Sequence, residues 1–521
     1  MLSQRCSYQQ EIYMMNFTVR KTATVFGGCL SQSLSIQHLK QVNILLRTCS
    51  AMIAMALWLA SANMAAASGT GMNVPNDFTP SSTEAPPDAI IGETDSSQKQ
   101  TWNVHAQNTD IVQGYPGFSA DYSGPNSLPS GGETRETTAV SVYLGCRLWS
   151  GASAHMDAMM WQGFGLGDTV GIEDFPNGEA YKTGTSAPNG TIARLFIRQT
   201  IGLGGRREAV HSGDLHLAGM RDVSRITITI GRFSAADIFD TNAYANDPKT
   251  QFMNWAFINN VAWDYPADAL GYTTGVAVVL NQPKWALSAG FFQMPGASNS
   301  NTAEDQFLVW PAEEPAGDGQ FWHSWETVVQ IERRYRINKE PGAIRFLAYL
   351  NSANMGNYQE AVNNPARPAD ITATQAYRLK YGFGLNWQQA VSKSIGIFSR
   401  LGWSDGRNQA WTFTDANYTA SLGLSIKGQS WGHPDDTFGL AGVLSGISRQ
   451  NQRFLEAGGT GILDGDGALS YGWEKAVETY YSFKIFRNGF LTLDYQFIAD
   501  PAFNSARGPV SVFGLRWHWS F

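Results

Sequence analysis

The chain has 521 residues, of which only 16% are charged, with 53 Gly, 17 Trp and 19 Tyr and a formal net charge of −7. Gly above the roughly 7% background without a collagen-like period, few charges and many aromatics describe a β protein rich in turns, and they fit a helical enzyme poorly. The acidic balance argues against nucleic-acid binding, which relies on basic patches.

The first element in chain order is "AMIAMALWLASA" (51–62), an uncharged run preceded by Lys40 and Arg47 and followed by "NMAAAS". A basic flank, a short apolar run and a small-residue site describe a secretory signal. A membrane-spanning helix needs about 20 apolar residues, so this run is too short to be one. Residues 1–67 are therefore expected to be a signal, extended or started too far upstream. Its removal takes away five Lys/Arg and one Glu, leaving 32 basic against 43 acidic side chains. It also removes Cys6, Cys29 and Cys49, so Cys146 stands alone and no intrachain disulfide framework is expected. Residues 68–101, rich in Ser, Thr, Pro and Gly with little to bury, are expected to be a disordered lead-in.

From Trp102 to Phe521 segments of about ten residues alternate with period two between Gly/Asn/Asp/Pro clusters, the pattern of membrane β-strands. In "TIARLFIRQTI" Leu195, Ile197 and Ile201 oppose Arg194, Arg198 and Thr200. "WETVVQIERRYRI" sets Val329, Ile331 and Ile337 against Glu326, Gln330, Glu332, Arg334 and Arg336, with Arg333 on the apolar side. "AYRLKYGFGLN" sets Tyr377, Leu379, Tyr381, Phe383 and Leu385 against Arg378, Lys380 and Asn386. "FLTLDYQFI" and "VSVFGLRWHWSF" repeat the division, the latter with Phe513, Leu515, Trp517, Trp519 and Phe521 on one face. Such a face, growing more aromatic along the strand, reads as an interfacial girdle in lipid rather than as the inside of a soluble sandwich. The fold expected is all-β, a transmembrane antiparallel β-barrel. About 420 residues at about 25 per strand and loop give about 16 strands. The terminal aromatic strand is expected to engage the outer-membrane barrel-assembly machinery.

Several stretches in order along the chain carry a family likeness. They include "FPNGEAYKTG" (175–184), "ARLFIRQTIGLGG" (193–205), "ITITIGRFSAADIFDTNAYANDPKTQFMNWAF" (226–257), "KYGFGLNWQQA" (380–390), "SLGLSIKGQSWGHPDDTFGLA" (421–441) and "DYQFIADPAFNSARGPVSVFGLRW" (494–517). In these the chain resembles the carbohydrate-selective (OprB-type) porins of Gram-negative outer membranes. The resemblance implies a sixteen-stranded barrel passing sugars by facilitated diffusion. The long N-terminal extension and the unpaired Cys146 depart from the family pattern.

Polar-phase charges are the candidate pore lining: Arg194, Arg198, Glu326, Glu332, Arg334, Arg336, Arg345, Arg378, Lys380, Arg400 and Arg516. Guanidinium groups offer five fixed donors to sugar hydroxyls, and carboxylates accept in return. Each could equally do no more than hydrate the wall and pair across strands. "DIFDTNAYANDPKTQFMNW" (237–255) follows a strand without clean alternation, and could fold into the pore. Asp237, Asp240, Asn242, Asp247 and Trp255 are its constriction candidates. Its acidic spacing matches no standard calcium loop, so no metal and no cofactor is expected. Trp263, Trp322 and Trp325 lie in or beside loop-like segments, either as girdle residues or as sugar-stacking faces. No Gly-x-Ser-x-Gly, His-Glu-x-x-His or Gly-Lys-Ser/Thr motif is present, so catalysis is not expected. The alternative to a sugar-preferring pore is a general or anion-preferring one. A plugged receptor is disfavoured, because 68–101 cannot supply a plug.

Overall fold

The structure, a computed structural model, describes residues 99–182, 184–300, 309–310 (backbone only) and 323–521. The expected signal (1–67), nearly all of the lead-in, and Trp322 lie outside the described residues. Sixteen antiparallel strands form the wall. The first seven are β1 (Trp102–Pro116), β2 (Gly132–Trp149), β3 (Ala152–Gly163), β4 (Thr185–Gly202), β7 (Arg225–Phe233), β8 (Thr273–Gln282) and β9 (Trp285–Gln293). They continue with β11 (Trp325–Ile337), β12 (Glu340–Met355), β13 (Ala376–Ala390), β14 (Ile395–Ser404) and β15 (Tyr418–Gly428). The last four are β16 (His433–Gly446), β17 (Glu474–Phe486), β18 (Gly489–Ala499) and β19 (Val510–Ser520). A small hairpin, β5 (Arg207–Val210) with β6 (Gly219–Asp222), stands outside the wall, and the two-residue β10 (Val309–Trp310) pairs with β4. Each wall strand pairs with its neighbour in sequence, β9 pairs with β11, and β19 returns to β1 in the register Asp110 to Trp517. The ring is closed, so every wall strand has two hydrogen-bonded neighbours and the wall leaves no edge to lipid.

The strands exist because their alternation satisfies two media at once. On β13 Tyr377, Leu379, Tyr381 and Phe383 point outward and are exposed, while Lys380 between them is 1% exposed. On β19 Phe513 and Leu515 face out, whereas Val512, Arg516 and His518 face in and are buried. Outward aromatics gather near strand ends, as in Tyr381–Trp403 (5.6 Å between centroids) and Phe486–Trp517 (5.4 Å). That is where a membrane–water interface favours amphipathic rings.

Tight turns at one rim contrast with long loops at the other. Ser150–Gly151, Pro283–Lys284 and Asn338–Lys339 join strands in two residues each. Asn338 (φ 53°) and Lys339 (φ 71°) both take the left-handed conformation that lets a two-residue turn follow the strand twist. The opposite rim carries loops such as 164–184, 234–272, 356–375 and 447–473. In outer-membrane barrels the short turns are periplasmic and the long loops external.

The interior is packed with side chains rather than left as a hollow tube. Segment 234–272 turns inward after β7 and crosses the lumen. Its Phe252 is fully buried against Phe257, Phe398 on β14 and Tyr480 on β17, with centroids 5.5, 5.4 and 5.0 Å apart. A second cluster joins its Phe239 to Trp263 and to Phe292 on β9 at 6.4 and 6.1 Å. Each such ring taken out of water contributes roughly 1.5–3 kcal/mol. The loop thus rests on the inward wall partly through apolar rings, and the buried polar side chains of the wall, such as Glu326, Lys380, Arg400 and Arg516, lie among them.

Candidate functional site: the internal loop and the lumen

Segment 234–272 contains one regular turn, α1 (Trp255–Ile258), whose first N–H groups are capped by the Asn254 side chain accepting from Ala256 N at 2.9 Å. Elsewhere its backbone is irregular, and buried N–H and C=O groups without partners would be costly. Wall side chains supply the partners. Arg400 on β14 donates to Asp240 Oδ2 at 2.8 Å, Asp240 O at 3.0 Å, Ala245 O at 2.8 Å and Phe257 O at 2.5 Å. Arg516 on β19 donates to Pro248 O at 2.6 Å and Gln251 O at 2.7 Å. Glu478 on β17 accepts from Met253 N at 2.6 Å and Asn254 N at 3.0 Å. Asn386 on β13 donates to Asp240 Oδ1 at 2.8 Å and accepts from the Asn242 amide at 2.8 Å.

The same anchoring continues at the other end of the loop. Arg194 on β4 grips Asp237 with two donors at 2.7 Å and Asp157 on β3 with a third at 2.7 Å. Lys380 pairs with Asp264 at 3.0 Å, Glu326 accepts from Trp263 Nε1 at 2.9 Å, and Arg232 on β7 pairs with Asp268 at 2.5 Å. The loop is thus held from β4 around to β19.

Five of the sequence candidates, Arg194, Glu326, Lys380, Arg400 and Arg516, therefore meet at the loop rather than in open lumen. Four others stand together. Glu332 on β11 bridges Arg334 beside it and Arg345 on β12, the latter at 2.6 Å. Arg334 also donates to Asn281 Oδ1 on β8 at 2.5 Å, and Arg345 to Gln388 at 3.0 Å. Arg198 on β4 lies over the Phe196 ring at 5.1 Å and donates to Leu215 O at 2.8 Å.

These four border a cavity of about 110 Å³ on the β4–β12 side, which Asp237 and Thr241 of the loop close from above. The two remaining charges lie elsewhere. Arg378 holds the external loop through Glu360 at 2.7 Å and Met355 O at 3.1 Å, and Arg336 donates to Lys339 O in a short turn.

Among the loop candidates, Asp237, Asp240 and Asn242 are those anchored to the wall. Asp247 organises its own turn, accepting from Lys249 N at 3.0 Å and the Thr250 hydroxyl at 2.7 Å. Trp255 stacks on Phe175 of the 164–184 loop at 5.1 Å and lies 5.2 Å from Phe413 of the 405–417 loop. Trp263 is buried within the loop's own packing against the wall, and Trp325 stacks on Phe291 at 5.9 Å.

The sequence reading passed over Arg232 and Glu478, and left Asn386 on the polar side of its segment without a site role, although all three sit in the inward phase of their strands. It also passed over His216 and Arg221, which face the cavity from the connection between β4 and β7. Charge phase could have found the first three; nothing local marks the last two. A further ionisable group lies under the external loops. Glu173, Asp415 and Asp464 are buried together; burial pushes all three carboxyls above their usual range, and repulsion from neighbouring carboxylates adds to it for Glu173 and Asp464.

The lumen presents cationic donors fixed by carboxylates, which suits transient hydrogen bonding to a polyhydroxylated or anionic solute. The carbohydrate-selective porin, OprB family, matches residues 126–521. The fold is similar to that of a high-pH structure of Pseudomonas putida OprB, with 16% identity and a TM-score of 0.62 over 81% of this chain and 94% of that chain. A low-pH structure of the same protein gives 12% identity and a TM-score of 0.44 over 81% and 93%. Pseudomonas aeruginosa OccK2 (OpdF) gives 8% identity and 0.39 over 81% and 98%. No curated protein matches the chain. The chain belongs to the carbohydrate-selective porin (OprB) family. It is a porin of the Gram-negative outer membrane, a channel rather than an enzyme.

Proposed function

We propose that this porin passes sugars, as monosaccharides or small oligosaccharides, by facilitated diffusion, and that the Arg198, Glu332, Arg334 and Arg345 group handles them on the way through. The observation that carries the reading is the Glu332 bridge. One carboxylate holds two guanidinium groups in fixed positions against the cavity. Fixed donors lose little freedom when they exchange water for a sugar hydroxyl. The carboxylate also offsets part of the cationic field that would otherwise favour anions over neutral solutes. Purified protein in liposomes tests it. Swelling should be faster with glucose than with amino acids of equal size, and equal rates would refute sugar preference.

A second reading, an anion-preferring pore, is favoured by the surplus of Arg198, Arg221, Arg334 and Arg345 over Asp237 and Glu332 around the cavity. A strongly anion-selective reversal potential in planar bilayers, together with absence of current block by sugars, would establish it. We also infer that β19, with its outward Phe513 and Leu515 and the exposed Phe521 directly after it, is the strand read by the barrel-assembly machinery. Phe521→Ala should lower the folded yield in cells while leaving refolding into detergent intact.

A further inference from the structure

Neighbouring antiparallel strands need only a two-residue turn, and at the periplasmic rim several pairs have nothing more. Between β4 and β7 the chain runs through the twenty-two residues 203–224. The β5–β6 hairpin forms their base, and the stretch between its strands bends back into the mouth of the barrel.

The seat for that stretch is built from the wall. Asn103 on β1, itself 5% exposed, directs its amide nitrogen at Ser212 Oγ (3.1 Å), Gly213 O (2.9 Å) and His216 O (2.8 Å). Arg198 takes Leu215 O, and Ala218 N donates to Gln100 Oε1 at 2.7 Å. Gly213 and His216 exchange backbone hydrogen bonds at 3.0 and 3.1 Å, which makes the tip a tight turn. Leu215 and Leu217 are buried at a rim otherwise open to water, and Leu215 joins the aromatic cluster of Tyr143, Phe196 and Phe233. The wall is hollowed to receive them. At Gly145 on β2 a Cβ would stand 2.2 Å from Asn103 Oδ1 and 3.2 Å from Leu217 Cδ2, so only glycine leaves the room.

The cavity consequently has two lids. The internal loop covers it from outside with Asp237 and Thr241, and the inward turn bounds it from the periplasm with His216 and Arg221, opposite Glu332 and Arg345 on the wall. We propose that the turn 211–221 is a second, periplasmic-side filter of the channel, and that His216 and Arg221 are specificity-determining residues for the sugar leaving it. The inference rests on the sugar-porin reading for its solute but on geometry alone for its narrowing. Pore width and the hydrogen-bonding groups lining it set which solute passes, so a filter at the exit restricts size independently of the external loop.

The test replaces residues 211–218 by a short Gly/Ser segment and, in a second variant, changes Asn103→Ala, which keeps the turn and removes its seat. Heat-modifiable gel mobility first confirms a folded barrel. Single-channel conductance and liposome swelling with mono-, di- and trisaccharides are then compared with the parent. The replacement should raise conductance by about twofold or more and admit the larger sugars, and Asn103→Ala should move both in the same direction by less. His216→Ala with Arg221→Ala should weaken sugar block of the current without enlarging the pore as much. If the replacement does not fold, Asn103→Ala decides. A folded variant with the parent's conductance and size limit overturns the second filter. Loss of sugar preference in the parent would overturn the transport reading while leaving the conductance comparison intact.

Discussion

Arg400 on β14 and Asp240 in the inward segment form a buried ion pair, Nε to Oδ2 at 2.8 Å, and the same guanidinium also closes on the carbonyls of Asp240, Ala245 and Phe257. One planar fork thus fixes three points of a loop that has almost no regular structure of its own. The pair is a latch between wall and loop, and the barrel ladder does not depend on it.

Breaking that latch should free the loop and spare the barrel. Arg400→Ala leaves Asp240 buried without its cation, a loss on the order of 3–5 kcal/mol when one partner of a buried pair is removed. Arg400→Lys keeps the charge but cannot reach the three carbonyls with one ammonium, so it should lie between. The expected result is larger and noisier single-channel conductance with unchanged heat-modifiable mobility. Parent-like currents from Arg400→Ala would show that the latch does not set the constriction.

Removing the carboxylate between the two cavity arginines should separate sugar handling from ion selectivity. Glu332→Gln leaves Arg334 and Arg345 without their shared anion. The reversal potential should move toward anions, and sugar block of the current should weaken by roughly tenfold, the worth of a charge-assisted hydrogen bond. Arg345→Ala should weaken block similarly while moving selectivity the opposite way. A parallel shift of both variants toward anions would sink the assignment.

The outer face predicts a cost set by depth in the bilayer. Leu493 on β18 points outward and is 52% exposed, and its neighbour Asp494 points inward and is buried. Leu493→Arg should destabilise the barrel by about 2–4 kcal/mol in denaturant titrations in lipid. Equal stability with the parent would mean that this face does not meet hydrocarbon.

The buried carboxylates of the external loops make their packing pH-dependent. Asp464 packs beside Gly461, where a Cβ would meet Asp464 Oδ1 at 2.0 Å and Asp415 Oδ1 at 2.7 Å, so the two carboxylate oxygens converge on one spot. Burial and then the Asp415 charge raise Asp464, and burial followed by Asp415 and Asp464 raises Glu173. A raised acid binds its proton more tightly folded than unfolded. Stability from it is therefore full below the ordinary value of about 4 and falls as pH climbs toward the raised values, by roughly 1.4 kcal/mol per pH unit for each proton released. Protease cleavage of loops 164–184, 405–417 and 447–473 should increase as pH rises above the ordinary carboxylate value of about 4, and Asp464→Asn should flatten the rise. Cleavage that slows over the same range would reverse the sign.

The barrel was legible because a strand between lipid and an aqueous or packed interior writes its environment into every second residue. Tyr377, Leu379, Tyr381 and Phe383 against Arg378 and Lys380 are enough to read it. The inward fold of 237–255 was legible as a possibility, because the segment is too irregular for a strand and too distinctive for a solvent loop. The partition among the candidate charges was not. Arg198 and Arg400 occupy the same phase of their strands, yet one borders the cavity and the other is sealed beneath the loop. Nor does the sequence mark Gly145 as the hollow for Leu217, because the two residues meet only after the turn bends back into the barrel.

By itself, then, the sequence determined the strand alternation, the closed wall in its membrane and the family to which these patterns belong, since period-two patterning is local and each side chain reports the medium it faces. Tertiary structure alone decided which inward charges meet a solute and which hold the chain to itself. That choice depends on where 234–272 and 203–224 come to rest across the lumen, and contacts between residues more than a hundred positions apart leave no periodic trace in the chain that makes them.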